Sequence, residues 1–466
     1  MSLRRKSLGI MAGVCLMLAG GYYAKENLWD DKFEPQKILD NSILKERKFA
    51  PEVKEVKSLD GKLNAYLIEE HSVPLVYICL GFKKMGYAFE EKEGVGNIFE
   101  AIALDGAKSW ERKELKSIMN ENGIKIGVGF GRDELVVKFS YVKEFEKLGW
   151  EILKAVLFDA HLSEKDIELT KQQYEVVRKR NAERVEKKLE DLYLKEFYKG
   201  HPLGRDSVAE KDKMDLIEAS DIREFLKKGM AKDVLFVGGS GDIDEEKMRE
   251  FLDYMFEGIE EKSLISDLED FKPNYEGELR DVDEKSSKQS FVLMVKDGIE
   301  RKDKDFYPFY VADFVFGGSG LNSRLNKVMR EENGLTYGIY SYLSQSDMVN
   351  TWNVAWSASP NNTKKIEELF EKEYEKFIRD GITLEELEVA KESLLSSFNL
   401  RFNSLASIAE QLYYIGQEGL GADFLKNRQQ YIRDIKLADV NRVIKEKWGK
   451  NNDKRWFRLN GSEAKE

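Results

Sequence analysis

The chain has 466 residues, room for two to four domains of ordinary size. Its 75 basic and 86 acidic residues leave a net charge of -11, which argues against nucleic acid as a partner, because phosphate binding needs a cationic surface. Three histidines and two cysteines, with no CxxC, HxxxH or CxxH pair, leave little to build a closed zinc site or a histidine-based hydrolase.

The N-terminus has the layout of an export signal. Arg4, Arg5 and Lys6 precede an apolar run from Leu8 to Ala19, and small residues follow at Gly20, Gly21 and Ala24. Residues 1–24 are therefore expected to be a signal peptide, or an anchor through residues 8–24 if they are not removed. At about 17 residues the apolar stretch sits at the lower limit for a span. Residues 25–47 read as a linker. Val14 before Cys15 argues against lipidation. Removal of the signal leaves Cys79 alone, and export without disulfides suits a periplasm.

Next come strands. Residues 74–82 (PLVYICLGF) form an apolar run, and 125–142 reads as two strands around a turn at Gly131, Arg132 and Asp133. A charged helical stretch covers 163–198, and 233–239 is another buried strand. The second half repeats this order at an offset of about 220 residues. LSEKDIELTK (162–171) echoes ITLEELEVAK (382–391), and ASDIREFLKK (219–228) echoes LADVNRVIKE (437–446) before the strand RWFRLNG (455–461). Such a long period means domain duplication, since solenoid repeats are far shorter. Two α+β units are expected at 48–256 and 288–461, joined by a polar linker over 257–287.

Three segments carry a resemblance: GVGNIFEAIALDGAKSW (94–110), EFYKGHPLG (196–204) and GGSGLNSRLNKVMREENGLTYGIYS (317–341). Together they resemble the zinc peptidase family of insulinase, pitrilysin and the mitochondrial processing peptidase, over about residues 48–460. The resemblance implies two homologous α/β-sandwich halves facing each other across a peptide-holding cavity. Each half would hold a mixed, mainly antiparallel sheet flanked by helices.

It also implies an active helix with an inverted zinc motif, HxxEH, and a third ligand from a downstream Glu. Here the motif reads Asn97-Ile98-Phe99-Glu100-Ala101, and the third position falls on Val177, or on Val176 if the register slips by one. Only Glu100 keeps the family residue. Asn is a poor zinc ligand, and Ala and Val are none. No catalytic residue, metal or cofactor is therefore expected in this chain, and Glu100 is a relic of the motif. The family's second element, an Arg and a Tyr that hold the substrate backbone, matches Arg330 and Tyr337. The bland alternative has Arg330 salt-bridged to a surface Glu and Tyr337 in the core.

GGSG at 238–241 and at 317–320 lack the Lys-Ser/Thr of a phosphate loop, DGAKSW (105–110) lacks its Gly-Lys, and all read as ordinary structural segments. His201 reads as a turn residue. The resulting expectation is a substrate-binding, non-catalytic subunit of an exported zinc peptidase heterodimer, periplasmic or membrane-anchored. Zinc would be held by an HxxEH partner, and the substrate would be a peptide or an unfolded protein. The alternative is a stand-alone peptide-binding or assembly protein of the same fold.

Overall fold

A computed structural model describes residues 51–273, 275, 280–449 and 454–462. The expected signal or anchor at 1–24 and the linker at 25–47 lie outside the described residues.

Thirteen strands lie among the described residues, in chain order. They are β1 (Lys54–Lys57), β2 (Asn64–Glu69), β3 (Leu75–Lys83), β4 (Gly106–Ala107), β5 (Trp110–Glu111), β6 (Lys125–Phe130) and β7 (Glu134–Val142). Then come β8 (Leu235–Gly241), β9 (Arg280–Glu284), β10 (Ser290–Asp297), β11 (Thr336–Ser344), β12 (Thr351–Ala358) and β13 (Lys454–Gly461). The first sheet runs β1-β2-β8-β3-β7-β6 and the second β11-β12-β10-β13-β9. Read from β6 and from β11, the two sheets place their strands in the same order. In each, one pair is parallel, β2 with β8 and β9 with β13, and the other pairs are antiparallel. The duplication legible in the sequence is thus a duplication of topology, with β1 as an extra strand on the first copy. The short ribbon β4-β5 holds the DGAKSW segment. Strand β9 falls inside the stretch expected to be linker.

The helical stretch 163–198 is two helices, Glu164–Ala182 and Val185–Tyr198, with Arg184 extended between them. The break has a structural purpose. The second helix leaves its own half and lays Leu189, Phe197 and Tyr198 on Leu293, Val295, Phe457 and Leu459 of the second sheet. Helix Leu405–Gln417 makes the reciprocal crossing and sets Ala409 and Tyr413 over Cys79 on the first sheet. Gly238 permits this approach, since a Cβ there would collide with the backbone of Ala409 and Tyr413. The first GGSG is therefore a helix seat. Ser240 Oγ also donates to the Leu405 carbonyl (2.6 Å), and Tyr413 and Gln417 both donate to Glu134. Burial raises the Cys79 thiol to about 12, so it behaves as a small hydrophobe.

The second core is aromatic. Trp352 and Trp448 stack at 4.6 Å, with Phe316 and Phe377 against Trp448. Buried Asp313 accepts from Ser341 Oγ (2.5 Å) and Trp352 Nε1 (2.7 Å). Gly317, in the second GGSG, lies so close to Ser341 that a Cβ would strike it, which gives that glycine a packing role beside β11.

Candidate functional site

The helix Val95–Ile102 carries the degenerate motif. Glu90 fixes its start by accepting from the backbone N–H groups of Gly94 (2.8 Å) and Gly96 (2.7 Å). Those donors are unsatisfied at any helix N-terminus, and a carboxylate suits the positive end of the dipole. Burial nevertheless pushes the Glu90 carboxyl up to about 7. Arg205, just after the HPLG segment, donates to the carbonyls of Tyr87, Ala88 and Glu90 and so holds the approach to the helix. His201 caps the turn Pro202–Gly204 through Nδ1, and its Nε2 meets the Glu269 carbonyl.

At the first ligand position, Asn97 is 4% exposed. Its Nδ2 donates to the Ser207 carbonyl (2.9 Å), and its Oδ1 accepts from the Ala209 N–H (3.3 Å). Tyr174 Oη donates to the Asn97 carbonyl (3.0 Å), and Arg178 Nη1 donates to the Ala209 carbonyl (2.7 Å). The side chain is fully committed to holding segment 207–209. Ala101, the second position, is exposed, and Val177 is half-buried one turn beyond Tyr174 on the same helix face. Val176 is exposed at 57%. These residues do not fit zinc. Asn97 joins Tyr174 and Arg178 in a hydrogen-bond clamp on segment 207–209, in which Ala101 and Val177 take no part. Glu100 is half-buried, and its charge adds to burial in raising the Tyr174 phenol. A carboxylate without a metal has no activated hydroxide to direct.

Sequence reasoning missed Tyr174 and Arg178. The signal was their spacing around Val177, which puts all three on the face turned to the motif helix.

Arg330 and Tyr337, the residues expected from the resemblance to hold substrate, lie at the edge of the second sheet. Helix Arg324–Asn326 continues as a wider π turn over Lys327–Glu332. Arg324 anchors it through two bonds to Glu386 (both 2.6 Å) and one to the Gly381 carbonyl (3.0 Å). Buried Asn326 joins the helix to β11 by bonds to both backbone groups of Ile339. The register of β11 slips between Thr336 and Ile339, a bulge held by Thr336 Oγ1 to Gly338 and Ser357. Bulges re-aim side chains. Here Tyr337 stands out at 77% exposure. Arg330, half-buried in the π turn, forms no side-chain hydrogen bond or ion pair among the described residues. Neither the surface salt bridge nor the core packing of the bland alternative is present.

The two elements sit at equivalent places: the motif helix beside edge strand β6, with Gly96 against Phe130, and the turn of Arg330 leading into edge strand β11, which carries Tyr337. Between the halves, Tyr193 of the crossing helix meets Tyr198 (3.4 Å between hydroxyls) and lies within the influence of Tyr342 on β11 and of Arg132.

Comparison with known proteins decides the family. Residues 67–210 match the model of the insulinase peptidases, family M16, and residues 217–394 match that of the peptidase M16 inactive domain. The chain belongs to peptidase family M16. A Helicobacter pylori relative named as the non-peptidase homolog YmxG is 24% identical, over 81% of this chain and 87% of its own. A probable mitochondrial-processing peptidase beta subunit of Schizosaccharomyces pombe is 23% identical, over 78% and 81%. Among solved structures, the peptidase M16 inactive domain from Pseudomonas fluorescens superposes with a TM-score of 0.80 at 18% identity, covering 89% of this chain and 99% of that one. The periplasmic protease PqqL of Escherichia coli gives 0.76 at 12%, over 89% of this chain and 46% of its own. This M16 chain is a catalytically inactive, peptidase-like protein with two homologous halves.

Proposed function

We propose that the chain is the substrate-binding, non-catalytic subunit of an exported zinc metallopeptidase heterodimer. The partner is an HxxEH member of the family and holds the zinc. This chain contributes Arg330 and Tyr337 to grip the backbone of a peptide or unfolded protein. The observation that carries the reading is a contrast. Asn97 is committed to a structural clamp and Ala101 and Val177 offer no donor atom, whereas Tyr337 is exposed and Arg330 is unpaired at a bulged sheet edge. A guanidinium offers a fixed fork of donors and a phenol offers one, which suits peptide carbonyls.

The proposal divides the chain into units at 48–256 and 288–461. It places the protein in the periplasm, exported through residues 1–24 and tethered by residues 8–24 if these are retained. The periplasmic neighbour PqqL supports that compartment. Among the described residues no helix is long and apolar enough to cross a membrane. The test is reconstitution with the HxxEH homologue and a peptide substrate, comparing native chain with Arg330→Ala.

A second reading, a peptide-binding or assembly protein with no proteolytic role, draws support from the name of the Helicobacter pylori relative. Edge strands β6 and β11 would then take up an extended peptide by strand addition. Co-purification of a peptidase homologue separates the two.

A further inference from the structure

Arg428, on helix Phe424–Asp434, is buried to 6% exposure. Its guanidinium lies on the face of Phe398, 3.9 Å from the ring centroid. Its Nη1 has no hydrogen-bond partner. The groups whose charges it feels are Tyr310, Tyr307, Arg401 and Arg301, two phenols and two further guanidiniums. Arg401 is exposed on the short turn Leu400–Phe402. Half-buried Arg301 lies 4.1 Å over Phe306 and 5.2 Å from Tyr307 and Phe424, and donates to the Tyr307 hydroxyl (3.2 Å). Tyr414 lies within reach of both Arg301 and Arg401. The acids of this region are Glu418 and Asp347, on the Arg301 side, where Lys83 and Lys302 also act on Glu418.

A buried guanidinium without a carboxylate is rare, because desolvating an ion is costly unless it is paired. Stacking on Phe398 offsets part of that cost but gives Nη1 no acceptor. Two more positive groups nearby make the cost larger, and burial together with these neighbours pushes the guanidinium below its usual range. A planar fork of N–H donors matches an oxyanion, and tyrosine hydroxyls complete its coordination. Arg301, Arg401 and Arg428 carry three positive charges, and the two carboxylates on the Arg301 side, Glu418 and Asp347, already lie beside Lys83 and Lys302, so the cluster keeps a positive surplus that a dianion neutralises better than acetate or chloride. Arg428 is too enclosed to meet anything but a small group.

We propose that Arg301, Arg401 and Arg428 form a binding site for a phosphate-type dianion. The site is built from helix Phe424–Asp434, the turn Leu400–Phe402 and the loop that carries Arg301, includes neither Arg330 nor Tyr337, and does not depend on the peptidase-subunit reading. The test is thermal melting and calorimetric titration of the full chain with inorganic phosphate, glycerol phosphate, acetate and chloride at matched ionic strength. Phosphate should raise the melting temperature saturably, and acetate and chloride should not. Arg401→Ala, at an exposed position, should weaken phosphate binding by about tenfold, the loss expected for one charge-assisted contact. Arg428→Met should abolish the saturable response. Binding of inorganic phosphate alone points to the free ion, and binding of glycerol phosphate as well points to a phosphoryl group on a larger solute. Both support the site. Phosphate acting no differently from chloride overturns it. So does an unchanged response in Arg401→Ala, which decides the matter if Arg428→Met does not fold.

Discussion

Asn97 shows how a ligand position becomes a structural one. Its amide bridges Ser207 and Ala209, so Asn97→Ala strands the buried N–H of Ala209 and frees the part-buried carbonyl of Ser207. That should cost about 1–3 kcal/mol of stability, read as a lower urea midpoint with unchanged slope. Asn97→His with Ala101→His should still bind no stoichiometric zinc, because Val177 supplies no third ligand; elemental analysis checks this. Arg330 and Tyr337 should behave in the opposite way. In a reconstituted complex, Arg330→Ala should lower kcat/KM by roughly ten- to a hundred-fold, and Tyr337→Phe should cost about 1 kcal/mol. Neither should move the thermal midpoint, since neither side chain anchors the fold. Two buried carboxyls give the protein a pH signature. Burial lifts Asp313 to about 6 and Glu90 to about 7. Both hold their proton more tightly folded than unfolded. From about pH 4 to about pH 7 the native state therefore binds more protons than the unfolded chain, and stability falls as pH rises. Asp313→Asn keeps an acceptor for Ser341 and Trp352, both of which bond Oδ1, and should flatten that slope in pH-dependent melts.

At the scale of elements, the exchanged helices carry the argument. Helix Leu405–Gln417 reaches β8 only because Gly238 has no side chain. Gly238→Val should force the helix off its seat, at a cost of about 1–3 kcal/mol or more, measured by urea unfolding. The periodicities of the strands at 75–83, 125–130 and 134–142 were legible from apolar runs and a Gly-Arg-Asp turn. So was the repeat, because duplicated helices kept their charge patterns. The break at Arg184 was not legible. No proline or glycine marks it, and its cause is the distant surface on which Leu189 and Phe197 are buried. Strand β9 was hidden for a similar reason, as its sequence, RDVDE, is polar and its pairing with β13 is an edge contact. The candidate site divides the same way. The family resemblance, and neither composition nor periodicity, singled out Asn97, Glu100, Arg330 and Tyr337. The clamp of Tyr174 and Arg178 needs the folded approach of two helices.

For the whole molecule, the proposed function gives an interlocked pair of halves without a metal site of its own a use beside a complementary copy. The chain should form a stable complex with an HxxEH homologue, and obligate interfaces of this kind commonly bury more than about 2,000 Å². The most direct measurement is peptide cleavage followed while the purified chain is titrated into that homologue. The account predicts no cleavage by this chain alone, and a rate that climbs with added chain to a plateau at equimolar ratio. A rate indifferent to the added chain, or chelator-sensitive cleavage by this chain by itself, would contradict it.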